Sequence, residues 1–166
     1  MRRSHLLILL TICCFISVPA IGSEQAQSHF DKIKSLAGTW HGVSPKGAAT
    51  VVSWEVVSEG SAVLERMSTE GESPMITMYH LDGKHLMMTH YCSVKNQPRM
   101  RAEFSEIDDN SVRFSFLDIT NFTKKSEGHM QKMAINIKDE NNVETVWTFA
   151  KDGKEHEALF KLKKKS

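Results

Sequence analysis

Met75-Ile-Thr-Met-Tyr-His-Leu-Asp-Gly-Lys-His-Leu-Met-Met-Thr-His-Tyr-Cys92 is the stretch on which the fold turns. Two runs rich in β-branched, aromatic and Met residues flank Leu81-Asp82-Gly83-Lys84. Asp-Gly between such runs is a strong hairpin signal, because a type I′ turn needs positive φ at both central positions. The hairpin carries three of the chain's eight histidines, His80, His85 and His90. It runs into Ser93-Val-Lys-Asn-Gln-Pro98, which reads as a polar loop stiffened by Pro98.

Working outward, the same period-two pattern recurs on both sides. Thr50, Val52, Trp54 and Val56 alternate with Ala49, Val51, Ser53 and Glu55, and 62–67 is the next strand. After the hairpin come Met100–Glu106, Ser111–Ile119, His129–Lys138, Val143–Ala150 and a last strand carrying His156, Ala158, Phe160 and Leu162. Glu59-Gly60-Ser61, Asp108-Asp109-Asn110, Asp139–Asn142 and a second Asp-Gly at Asp152-Gly153 supply the turns. Only Gln25–Ala37 has helical spacing, with Phe30, Ile33, Leu36 and Ala37 on one side, Ser28 as a cap and Gly38 as the stop. About nine or ten strands joined by turns, with no Pro inside any of them, predict an all-β chain. A short N-terminal helix followed by an up-and-down antiparallel barrel fits best, since closure removes the sheet edges. A two-sheet sandwich is the alternative.

Residues 1–22 read as a secretory signal peptide, leaving 23–166 as one domain. Arg2 and Arg3 form the basic start, Leu6–Val18 the apolar region, and Ala20-Ile21-Gly22 the cleavage site before Ser23. Cys13 raises a lipoprotein alternative, but Ile12 stands where a small residue belongs. The apolar run is short for a transmembrane helix, so no transmembrane segment is expected after cleavage. The expected location is periplasmic or secreted. Loss of Arg2 and Arg3 takes the formal net charge from +1 to −1. That leaves no basic field for nucleic acid. Cys92 then stands alone, so stability rests on the core rather than on an internal disulfide. The sequence carries no signal for an oligomeric state.

Leu36-Ala37-Gly38-Thr39-Trp40-His41-Gly42 places a Gly-x-Trp just after the helix, at the opening of the first strand. It resembles the lipocalin and calycin entry motif, in which the Trp plugs the closed end of the barrel. The likeness runs on through Thr50–Leu64. Met78–Gly83, Thr89–Cys92 and Asn96-Gln-Pro-Arg-Met100 resemble a bacterial family of uncharacterised exported lipocalin-like proteins, over nearly the whole of 23–166. More distantly, the chain is similar to nitrobindin-like haem barrels, which carry an axial His on the last strand. That similarity implies haem as an alternative cofactor and His156 as its ligand.

Strand parity then nominates a site. His90 shares a face with Leu86 and Met88, and His129 with Met133 and Ile135. Asp118 follows Phe114 and Phe116, and His156 precedes Ala158 and Phe160. Four polar groups near strand ends on apolar faces would gather at a barrel mouth, as in a small-molecule site. Trp54, Phe114, Phe116, Trp147 and Phe160 would line the interior. The plainer reading makes each polar residue a strand end bonded to a neighbouring loop. No catalytic set emerges: there is no nucleophile elbow, phosphate loop or carboxylate pair, and only Cys92 with His90 forms a same-face thiol–imidazole pair. No metal is expected, because His85 and His90 have opposite parity. The expectation is therefore a binder of a small apolar or amphipathic molecule, with no cofactor. The alternative is a haem-binding protein or a His-dependent enzyme on the same barrel.

Overall fold

The computed structural model describes residues 21–104, 110–124 and 126–165. The signal-peptide reading falls almost wholly on residues 1–20 and lies outside the described residues, as do Asp108 and Asp109 of one expected turn. The chain forms helix α1 (Ile21–Ser35), then β1 (Gly38–Val43), β2 (Ala49–Val57), β3 (Ala62–Thr69), β4 (Met75–Asp82) and β5 (His85–Tyr91). It continues through β6 (Gln97–Glu103), β7 (Ser111–Thr120), β8 (His129–Asp139), β9 (Asn142–Lys151) and β10 (Lys154–Lys164). These ten strands form one closed antiparallel barrel in chain order, with β1 pairing both β2 and β10. The sandwich alternative is excluded. The helix starts at Ile21, four residues before the expected Gln25, and ends at Ser35.

Odd-numbered strands run toward one end and even-numbered strands return. At the far end the helix lays Ala26, Phe30 and Ile33 onto the barrel core, beside Trp40. Trp40 is 1% exposed, meets Trp54 edge-on at 5.9 Å, and donates its Nε1–H to the Leu36 carbonyl at 2.8 Å. That bond serves a carbonyl left without a partner just past the helix. At the other end the β1–β2, β3–β4, β5–β6, β7–β8 and β9–β10 connections form a mouth.

The two Asp-Gly turns differ although the dipeptide is the same. In β9–β10, Lys151 pairs Lys154, and Asp152 and Gly153 both have positive φ (51° and 73°), as a type I′ turn requires. In β4–β5, Asp82 pairs His85, so the loop residues are Gly83 and Lys84, and only Gly83 has positive φ (57°). Gly at the first central position is the type II′ pattern, which corrects the type I′ expectation for the central hairpin. The pairing register selects the turn, and the dipeptide alone does not reveal it.

Pro98 also departs from expectation. It is the second residue of β6 and pairs Ile119, rather than sitting in a loop. The β5–β6 pairing runs from Met87↔Arg101 to Thr89↔Arg99 and stops short of Pro98, so the missing N–H costs no bond there. The preceding Asn96 is 1% exposed and donates its Nδ2 to the Gly128 carbonyl at 2.9 Å. Gln97 Oε1 accepts from Thr120 and Asn121, each at 2.7 Å. Asn96 and Gln97 thus tie the β5–β6 and β7–β8 sides of the mouth together.

The closing seam between β1 and β10 depends on Gly42. A Cβ there would sit 2.2 Å from the Lys161 carbonyl oxygen and 2.9 Å from Leu162 Cδ2. Backbone oxygen cannot swing aside as a side-chain tip can. Gly42→Ala is expected to lower the unfolding free energy by about 1–3 kcal/mol, as overpacking does. A urea midpoint equal to that of the wild type would show that the seam has slack.

Candidate functional site

The barrel is filled at the helix end and hollow toward the mouth. Across β2–β5 one interior rung is polar: Trp54 lies opposite Glu65, Glu65 opposite Thr77, and Thr77 opposite His90. Val63, Glu65 and Met67 alternate inward along β3, which puts Glu65 at 1% exposure. Its Oε2 accepts from Tyr79 Oη at 2.5 Å and from Trp54 Nε1 at 3.1 Å. Burial raises the Glu65 carboxyl to about 7 against these two donors. Burial, with the charge of Glu65, pushes the Tyr79 phenol well above its ordinary value.

Above this rung lies a cavity of about 460 Å³ that reaches the mouth. Met67, Met75, Met130, Phe149 and Phe160 make its walls largely apolar. Flexible thioethers suit a pocket that adapts to its occupant. At the bottom are His90 and Trp147, with ring centroids 4.5 Å apart. His90 is 2% exposed, and Thr77 Oγ1 lies 3.0 Å from its Nδ1. Burial drives the His90 imidazole down to about 4, so it is neutral at physiological pH. Among the described residues neither His90 Nε2 nor Trp147 Nε1 has a hydrogen-bond partner, although both are buried. Buried polar atoms are ordinarily paired, so two orphans in one apolar cavity mark a place for a polar group.

Of the four polar residues nominated from parity, His90 is the one that lines this cavity. Asp118 is turned away: the β6–β7 register shifts between Arg99↔Asp118 and Met100↔Phe116, leaving Leu117 as an extra residue. That bulge reverses the parity, and Asp118 forms a two-point ion pair with Arg99, both half-exposed. The hydrogen bonds from Arg99 hold the Asp118 carboxyl below the usual range. A second bulge between Met130 and Lys132 does the same for His129. Met130 takes the inward position, while His129 packs between Phe116 (4.8 Å) and Phe122 (5.2 Å) and meets Gln131 Oε1 at 2.8 Å. His156 keeps its expected parity opposite Phe149 but is exposed and does not line the cavity. Period two fixes the side of a strand and not the height along a tilted barrel. A haem held by His156 would therefore lie outside the cavity. Trp54 and Phe114 are buried in the filled half.

Glu65, Thr77 and Tyr79 were missed from the sequence. The Val63-x-Glu65-x-Met67 alternation is a local signal that a carboxylate points inward. Trp147 was placed in the interior, but not as a hydrogen-bond donor without a partner.

Cys92 also lines the cavity and is 9% exposed. Burial pushes its thiol up, which lowers the thiolate fraction. Native protein is expected to react slowly with a thiol reagent such as DTNB and quickly after unfolding. Rapid stoichiometric labelling of native protein would show an open, activated thiol instead.

A closed ten-strand antiparallel barrel, plugged by a Trp and a helix at one end and hollow at the other, fits a calycin-like architecture. No family model matches the chain, and no curated protein matches it. Among solved structures it is similar to a protein of unknown function from the DUF3598 family of Nostoc punctiforme, with a TM-score of 0.53 and 13% identity. The match covers 80% of this chain but 49% of that one, so the chain spans about half the neighbour's length. At that identity the likeness is one of fold. A second structure, EF1p2_mFAP2b bound to DFHBI, aligns over 85% of this chain and 99% of that one at 8% identity, with a TM-score of 0.38. Among the described residues no helix is long and apolar enough to cross a membrane, which says nothing about strands.

Proposed function

We propose that this chain is an exported small-molecule-binding barrel whose cavity takes an apolar or amphipathic ligand, polar end inward. The observation that carries this reading is the pair of orphaned buried nitrogens, His90 Nε2 and Trp147 Nε1, in an otherwise largely apolar cavity. A preformed concave pocket with a few convergent polar groups is the usual form of a ligand site. Export rests on Arg2, Arg3 and the Leu6–Val18 run. Cleavage before Ser23 would leave the buried helix face of Ala26, Phe30 and Ile33 intact. N-terminal sequencing of protein recovered from the periplasm or medium of its own host should begin at Ser23.

Binding is tested with the fluorescent probe N-phenyl-1-naphthylamine. Wild type should show a saturable signal at one probe per chain. Ala158 lies on the cavity wall opposite Trp147 in the β9–β10 pairing, and Ala158→Trp should fill the space and remove the signal while leaving the circular dichroism spectrum in place. A linear, non-saturating signal, or equal binding by the folded Ala158→Trp variant, would overturn the reading. The haem or His-dependent enzyme reading is carried here by His90 rather than His156, since His90 lines the cavity with an unpartnered Nε2 while Thr77 lies beside its other nitrogen. A Soret band in protein purified after haem supplementation would favour it.

A further inference from the structure

We infer that the cavity selects ligands whose buried head is an uncharged oxygen, a hydroxyl above all, over carboxylates and alkylammonium ions. The inference rests on the binding reading and adds the chemistry of the head group. Two nitrogens set the requirement. Trp147 Nε1–H can only donate, so its partner must accept. A protonated amine has donors alone and fails at that atom.

His90 Nε2 has a second demand. Its Nδ1 lies 3.0 Å from Thr77 Oγ1, and a hydroxyl there can donate or accept. The unpartnered Nε2 is then either an N–H or a lone pair. A hydroxyl head satisfies both cases, accepting from one nitrogen while donating to or accepting from the other. A carbonyl or carboxylate satisfies only the N–H case.

Charge separates the remaining candidates. Among the described residues, those at the bottom of the cavity are His90 and Trp147, with no cation beside them. Lys46 and Glu72 line the cavity only from the mouth loops and are exposed, and Glu157 lies exposed on β10. Glu65, one rung position from Thr77, adds negative potential as it ionises. A carboxylate head would thus lose its water beside a buried acid and gain no counter-ion. A neutral oxygen loses far less and pairs two orphaned groups.

The test displaces N-phenyl-1-naphthylamine with three ten-carbon competitors at pH 7.5: 1-decanol, decanoate and decylammonium. Decanol is expected to displace the probe at a concentration at least about tenfold lower than either ion. Trp147→Phe, which keeps the aromatic wall and removes the N–H, should weaken decanol about fivefold, the worth of one ordinary hydrogen bond. The smaller ring also changes a buried wall of the cavity, so the decanol loss is read relative to the variant's own probe affinity. Decanoate or decylammonium binding as tightly as decanol would overturn the inference while the binding reading stands. An undiminished decanol affinity in Trp147→Phe would also overturn it. A wild-type protein that does not bind the probe or any competitor would sink the binding reading, and this inference with it.

Discussion

Trp40→Ala should cost the protein about 3–5 kcal/mol, the range for emptying a large aromatic site in a packed core. Trp40 is 1% exposed and sits where three parts meet: the helix C-terminus, the first strand and the interior of the barrel. Truncation removes the edge-on contact with Trp54 at 5.9 Å and the 2.8 Å bond to the Leu36 carbonyl, and it leaves a void under the helix. Interiors are close-packed, so the surroundings collapse only in part. Whole-domain stability is roughly 5–15 kcal/mol, so the loss is a large share of it. For a chain of this size the melting temperature should fall by roughly 10 °C. Trp40→Phe keeps most of the volume and loses the hydrogen bond, and should cost roughly 1–2 kcal/mol. A melting temperature within a degree or two of wild type for Trp40→Ala would show that Trp40 is not the plug.

The second large effect is hidden in the wild type and appears in variants. Glu65 has a folded-state value of about 7 against an ordinary 4.5. The folded protein therefore holds the proton more tightly than the unfolded chain. The stability this contributes is full below pH 4.5 and is lost as pH rises through about 7. His90 has the opposite sense, with about 4 in the fold against 6.5. The unfolded chain binds that proton more tightly, so stability is lost as pH falls from 6.5 through about 4. Each effect amounts to about 3 kcal/mol, at about 1.4 kcal/mol per pH unit between the two values. Between pH 4.5 and 6.5 they oppose each other, and wild-type stability should be nearly level. Glu65→Gln removes one arm, so its stability should rise by about 2–3 kcal/mol from pH 4.5 to 6.5. His90→Gln removes the other, and its stability should fall by a similar amount over that window and on toward pH 7.5. Urea unfolding at several pH values reads both slopes. Exposed Asp118, Glu127 and Asp139 are held low by neighbouring donors and act below this window. Two variants that both keep the wild-type profile would show that these two buried groups do not titrate as their surroundings dictate.

These two groups also mark the limit of what a linear reading reaches. Alternation of apolar residues between Thr50 and Leu162, with turns at regular intervals, was enough for an all-β meander, and avoidance of free edges was enough to close it. His90 as an inward imidazole followed from local pattern, because β5 keeps unbroken parity, while Trp40 as the plug came from the likeness of Gly38-Thr39-Trp40 to the lipocalin entry motif. Asp118 and His129 were misplaced for one physical cause. A single unpaired residue, Leu117 in β7 and the step between Met130 and Lys132 in β8, reverses which side faces in. A bulge is a property of two paired strands, so neither strand's sequence announces it.

The sequence by itself determined the elements, their order and the apolar face of most strands, because side-chain alternation is a local property of an extended chain. It also carried the Gly-x-Trp entry, the single cysteine of 23–166 and the basic start of the chain. The tertiary structure alone decided the register, and with it the Gly83-Lys84 turn, the two bulges and the height of His156 above the cavity. It also decided that Trp54, Glu65, Thr77 and His90, spread over four strands, form one rung. The cavity above that rung exists because closing ten strands brings β5 and β9 face to face. His90 and Trp147 are 57 positions apart in the chain and 4.5 Å apart in the barrel. No local pattern encodes that distance; it is set by how many strands close and how far each is sheared against the next.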